Sequence, residues 1–214
     1  MSVASEGGLP EDGKQGVFYG PIHCDGPPLK APLSRRECLL YRYEITHIKS
    51  RSQFGKNRVS DDTITDTVVD AEGFALTPST IRTVRGPVKL LTLVKPEFKP
   101  DCFSLDQISE NYKAYAATAR LKRCGSLEMH PSLQKSLHND ADGAIRYDLG
   151  TGELDPANAL LIKEHIVQHG DTVVVFGKYS AARGGIVYDP DSVGDTRLRK
   201  GSLDSLKKSL AMNA

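Results

Sequence analysis

The chain has 214 residues, 28 Lys plus Arg against 27 Asp plus Glu, and a hydrophobic fraction of 39%. That size suits one large domain or two small ones with a core of their own, and a net charge of +1 supplies no global field for nucleic acid or an anionic membrane. The longest apolar runs are four residues, such as Val173–Phe176, far short of the roughly 20 that cross a bilayer.

In chain order, residues 1–15 are rich in Gly, Ser and acidic side chains. They have no basic region or apolar stretch, so they read as a mobile tail and not as a secretory signal. Gly16–Cys24 reads as a strand broken at Gly20 and Pro21, and Asp25–Ser34 as proline-rich turn chemistry. Cys38–Ile48 is the clearest strand, with Leu39, Tyr41, Tyr43 and Ile45 on one face and Arg42 and Glu44 on the other. The polar stretch 49–66 reads as a long hairpin loop. Short strands are expected around Thr67–Val69, Phe74–Leu76, Thr80–Val84 and Val88–Val94, separated by Gly73, Pro78 and Gly86-Pro87.

Ser104 and Gln107 form a capping-box pattern, and Leu105, Ile108, Tyr112, Tyr115 and Ala119 follow as one apolar helical stripe closed at Gly125. Residues 157–169 stay open. Asp155-Pro156 and Gly170 are good helix boundaries, while Leu161, Lys163, His165 and Val167 also fit one face of a strand. Gly170–Gly177 reads as a turn and a buried strand, paired with Gly184–Tyr188 across Ser180–Arg183. The remainder from Asp189 reads as a polar linker, with a short basic amphipathic helix over Ser202–Met212.

The chemistry searched for is mostly missing. Cysteines at 24, 38, 102 and 124 make no Cys-x-x-Cys pair, and they read as reduced thiols rather than zinc ligands. His165 and His169 lack the glutamate placement of a metalloprotease helix, and His138–Leu149 lacks the terminal carboxylates of a calcium loop. No nucleophile elbow, Walker loop or dinucleotide fingerprint occurs, so no metal or cofactor is expected. Basic residues cluster at Arg120–Arg123 and at Arg197, Arg199, Lys200, Lys207 and Lys208, with few aromatic platforms beside them, which argues against single-strand binding there.

One block stands apart: Val17–Ser34 (VFYGPIHCDGPPLKAPLS) followed by Cys38-Leu-Leu-Tyr-Arg-Tyr-Glu44. It resembles the opening of the GIDE family, a domain found beside membrane segments in mitochondrial ubiquitin ligases and in many bacterial proteins. Phe74-Ala-Leu76, the helix Tyr112–Gly125, and Glu164 through Gly170-Asp171 to Val173, Val175 and Gly177 are similar to its later motifs. The resemblance favours the strand reading of Leu161–Val167. The similarity runs over residues 16–188, and the short punctuated strands there suggest a β-rich α+β domain, an antiparallel sheet forming a partly open barrel or sandwich, with one central helix on the sheet and a short C-terminal helix after 189.

The motif residues Gly20, Pro32, Cys38, Tyr41, Gly170, Asp171 and Gly177 read as structural, and Arg42 and Glu44 as either an ion pair or a partner-reading pair. The family's RING module and membrane segments are missing. The expected function is therefore a non-catalytic protein-binding or scaffolding module, tied to substrate recruitment near a membrane. It is expected in the cytoplasm or at the cytoplasmic face of a membrane, with the basic end Arg197–Lys208 touching anionic lipid. The rival readings are a small-barrel nucleic-acid binder and a hydrolase using Cys38 or Cys124.

Overall fold

The computed structural model describes residues 9–52, 63–118, 138–139, 141–150, 154, 160–189 and 196–201. Strands take up 57% of it against a usual 20–25%, so the fold is mainly β with a single helix. In chain order come β1 (Gln15–Cys24), β2 (Leu29–Lys30), β3 (Glu37–Cys38), β4 (Leu40–Ser52), β5 (Thr63–Leu76), β6 (Ser79–Thr83), β7 (Gly86–Leu90), β8 (Lys95–Pro96) and β9 (Asp101–Phe103). After α1 (Leu105–Thr118) follow β10 (His138–Asn139), β11 (Ile145–Gly150), β12 (Leu160–Val167), β13 (Thr172–Ser180), β14 (Gly185–Val187) and β15 (Arg197–Lys200).

β1, β6, β7, β14 and β13 close a five-stranded barrel, where a partly open one or a sandwich was expected. Gly20 and Pro21 do not end β1. They mark where it changes partner, from β13 along Gln15–Pro21 to β6 along Ile22–Cys24. A Cβ on Gly20 would stand 2.1 Å from the Arg82 carbonyl oxygen, so glycine is what lets β6 approach at that change of partner. β15 continues the sheet from β13, and its Leu198 is fully buried in the barrel core. The stretch after 188 therefore contains a core strand before the candidate helix Ser202–Met212, which lies outside the described residues.

The second sheet runs β10-β11-β5-β4-β12-β9. Its β4–β5 hairpin stays in register from Leu40↔Leu76 out to Ser52↔Thr63, with one irregularity beside Ile45 that leaves Asp70 as the extra residue of β5. The two short strands expected at 67–69 and 74–76 are therefore one. The polar flanks of the expected loop are strand as well, since backbone pairing with a neighbour overrides side-chain polarity. Gly73 sits inside β5 because the Tyr43 ring lies 2.4 Å and Asp148 Oδ1 2.6 Å from where its Cβ would stand.

β12 settles Leu160–Val167 of the open segment as strand, with Ile162, Glu164 and Ile166 facing inward, while 157–159 lie outside the described residues. One face of this sheet (Leu40, Phe74, Leu76, Tyr147, Leu149) merges with the barrel core. The other (Tyr41, Tyr43, Ile45, Ala75, Ile162) buries the α1 stripe of Ile108, Tyr112 and Tyr115. The Ser104 amide donates to Gln107 Oε1 at 2.9 Å, as the capping pattern predicts. Residues 119–125 of the expected helix lie outside the described residues. Among the described residues no helix is long and apolar enough to cross a membrane.

Candidate functional site

Alternation along β4 sends Arg42 and Glu44 to the sheet face away from α1. Register sets Arg42 between Phe74 and His165, and Glu44 between Glu72 and Lys163. The ion pair expected within the strand is made across it instead. Arg42 Nη2 lies 3.8 Å from Glu72 Oε2, with the two side chains 17% and 5% exposed. Burial pushes the Glu72 carboxyl up, Arg42 pulls it back, and the facing Glu44 pushes it up again. Burial lowers His165, whose ring meets Phe98 edge-on at 5.2 Å. Beyond this charged group the same face carries Leu161 and Ile48, 46% and 66% exposed. Glu72, Lys163 and His165 were missed as members of this site. Only the strand register, which the sequence does not state, places them beside Arg42 and Glu44.

The motif residues build a scaffold at the other face. Glu164, fully buried on β12, accepts the Leu33 and Ser34 amides at 2.8 and 3.1 Å and so clamps the Ala31-Pro32-Leu33 turn. Asn111 of α1 donates to the Leu33 carbonyl at 2.8 Å, tying the helix to the same turn. Burial raises the Glu164 carboxyl while these hydrogen bonds oppose the rise. Pro32, Cys38 and Tyr41 are all buried here. Gly170, at φ 86, turns the chain from β12 into β13, where the Asp171 carboxylate accepts the Gln168 amide at 2.7 Å. Gly177 leaves room for Ile186, whose Cγ2 lies 2.5 Å from where a Cβ would stand.

Beneath α1 lies a buried polar chain. Tyr115 and Tyr43 both donate to Asp148, the latter at 3.4 Å. Because the single hydroxyl proton of Tyr115 goes to Asp148, Tyr41 donates to Tyr115 at 3.0 Å, and Arg146 donates to Tyr41 at 3.3 Å. The order of donation thus runs from a guanidinium to a carboxylate. Burial pushes all three phenols up, and the Asp148 charge adds to it.

His165 and His169, four apart in sequence, are separated. His165 faces Phe98, while His169 meets His23 edge-on at 4.8 Å and accepts the Cys24 amide on Nδ1 at 3.3 Å. A shallow cavity of about 210 Å³ is lined by Cys24, Glu37, Cys38 and His169 among others. Here thiol, imidazole and carboxylate share a wall. Burial pushes the Cys38 thiol up to about 12, and Glu164 adds to the rise. Burial also raises Cys24, which donates to the Gly26 carbonyl at 3.0 Å. A nucleophilic thiol needs the opposite shift. Cys124 lies outside the described residues, which hold no cluster of three or more metal-ligating side chains.

The C-terminal basic residues divide. Arg197 and Arg199 pair with Glu97 at 3.5 and 2.8 Å, and Lys200 pairs with Asp171 at 2.8 Å, so these three already have carboxylate partners. Lys207 and Lys208 lie outside the described residues. No family model, no curated protein and no solved structure matches this chain.

Proposed function

We propose that this chain is a non-catalytic protein-binding module whose contact surface, termed the outer face, is the exposed end of the six-stranded sheet's side away from α1, next to the stretch that merges with the barrel core. The observation that carries the reading is the half-buried group Arg42, Glu72, Glu44, Lys163 and His165 bordered by exposed Leu161 and Ile48. Charges on a rigid sheet beside exposed apolar side chains supply register and contact area together, the two ingredients of a specific protein interface. The thiols support the non-catalytic part, since both lining the cavity are held protonated. The motif residues support it too: Glu164, Pro32 and Gly20 shape the backbone. The finer reading follows the GIDE resemblance: a platform that recruits a protein beside a membrane, with any ligase chemistry residing in another chain.

Crosslinking capture with the wild-type chain, against Arg42→Glu and Leu161→Asp variants, tests the proposal. A protein captured by the wild type and lost with both variants is the expected result. Capture that ignores both substitutions, or no capture at all, defeats it.

A further inference from the structure

The outer face of the barrel across β1, β6 and β7 is a second, separate surface. Register sets His23, Thr80 and Lys89 in one row over three strands, and Arg82 opposite Pro87 beside it, while Ile22, Ile81 and Val88 point into the core. Arg82 and Lys89 are exposed, and Tyr19 and His23 are half-buried. His169, from the turn after β12, sets its ring edge-on to His23 at 4.8 Å, the Arg82 charge acts on His23, and Tyr19 follows on the same outward side of β1.

Several other cations are already paired. Arg36, Arg42, Lys178, Arg197, Arg199 and Lys200 each pair with a carboxylate. No salt bridge among the described residues engages Arg82 or Lys89. The carboxylate at the row's end, Asp25, accepts the Thr80 hydroxyl at 2.5 Å. Burial, then the charges of Arg82 and His169, lower the His23 imidazole and favour its neutral, stackable form.

The barrel's first strand pairs with both the second and the fourth, and its third runs parallel to the fifth. That is the connectivity of the five-stranded oligonucleotide-binding barrels, which present ligands on their second and third strands. Topology alone assigns no function. Here the two cations lie on those two strands, and the rings on the adjoining first strand and the turn after β12. We propose that this face binds single-stranded nucleic acid, with Arg82 and Lys89 on phosphates and Tyr19, His23 and His169 as platforms for bases.

The test is fluorescence anisotropy of a labelled oligothymidine of about 15 nucleotides with the full chain, over roughly 50–300 mM salt. The expected wild-type result is binding that weakens with salt. Arg82→Glu with Lys89→Glu is expected to cost at least about tenfold and to flatten the log–log salt slope by about 1.4, that is about 0.7 per lost phosphate contact. Tyr19→Ala is expected to cost about fivefold or more with the slope unchanged. Circular dichroism confirms that each variant is folded. Three outcomes overturn the proposal: no binding at the lowest salt, binding indifferent to the charge reversal, or charge-dependent binding to phosphatidylserine vesicles with none to the oligonucleotide. Arg42→Glu and Leu161→Asp lie on another face and are expected to leave oligonucleotide binding intact, so this proposal and the protein-binding one fail separately.

Discussion

On the α1 side of the six-stranded sheet, Asp148 receives two tyrosine hydroxyls, and a chain of donors leads back to Arg146. On the opposite side, Glu72 meets Arg42 at 3.8 Å and faces another carboxylate across the strand pair, while Arg42 in turn sits beside half-buried His165. The covered face buries polar groups and ties most of them by directional hydrogen bonds, Tyr112 excepted, which fixes a unique packing for the helix. The outer face leaves charge only partly compensated at the border of solvent. The difference teaches where to look for function: fully satisfied networks hold a fold in place, and incompletely satisfied ones are available to a partner.

The largest effect is expected from removing the clamp on the covered side. Glu164→Ala orphans two amides and opens a void in a buried site, which should cost about 3–5 kcal/mol in chemical denaturation. A loss below about 1 kcal/mol would mean that the Leu33–Ser34 turn holds itself. Next comes a pair that sharpens the contrast within the helix face. Tyr115→Phe breaks the donor chain and should cost about 1–2 kcal/mol, while Tyr112→Phe removes a buried hydroxyl that has no hydrogen-bond partner among the described residues and should be neutral or slightly stabilising. Equal costs for the two would dissolve the claim that the network is directional.

Smaller still is the pH effect of the outer face. Glu72 is raised, so the folded state holds its proton more tightly than the unfolded chain does. Its contribution is therefore complete below the ordinary carboxylate range and fades as pH rises through the native value. The stability of the wild type relative to Glu72→Gln should fall as the pH rises above the ordinary carboxylate range, about pH 4. A gain in stability instead would show that Arg42 outweighs burial. Leu161→Asp should change stability by no more than about 0.5 kcal/mol while abolishing capture of the partner. Its thermal melt and the crosslinking assay, run side by side, separate folding from docking.

Much of the fold is legible in the local pattern. The two-residue period of β4, the capping pair before α1 and the Gly170 turn each encode their outcome in a few neighbouring side chains. Glycine at 20 and 73 misleads as a strand breaker because both positions answer to contacts from elsewhere in the chain, the Arg82 carbonyl in one case and the Tyr43 ring in the other. Of the candidate site, Arg42 and Glu44 are visible as a same-face pair, but their partner Glu72 is 28 residues past Glu44 and enters through the β4–β5 register.

The sequence by itself determined which residues alternate, which turn and which cap, since those preferences are set by sterics and hydrogen bonding within a few residues. Closure of the barrel, the pairing of Arg42 with Glu72 and the gathering of Cys24, Cys38 and His169 around one cavity were decided by the tertiary structure alone. Each brings together groups distant along the chain, and the energy that selects them exists only once both sheets are packed.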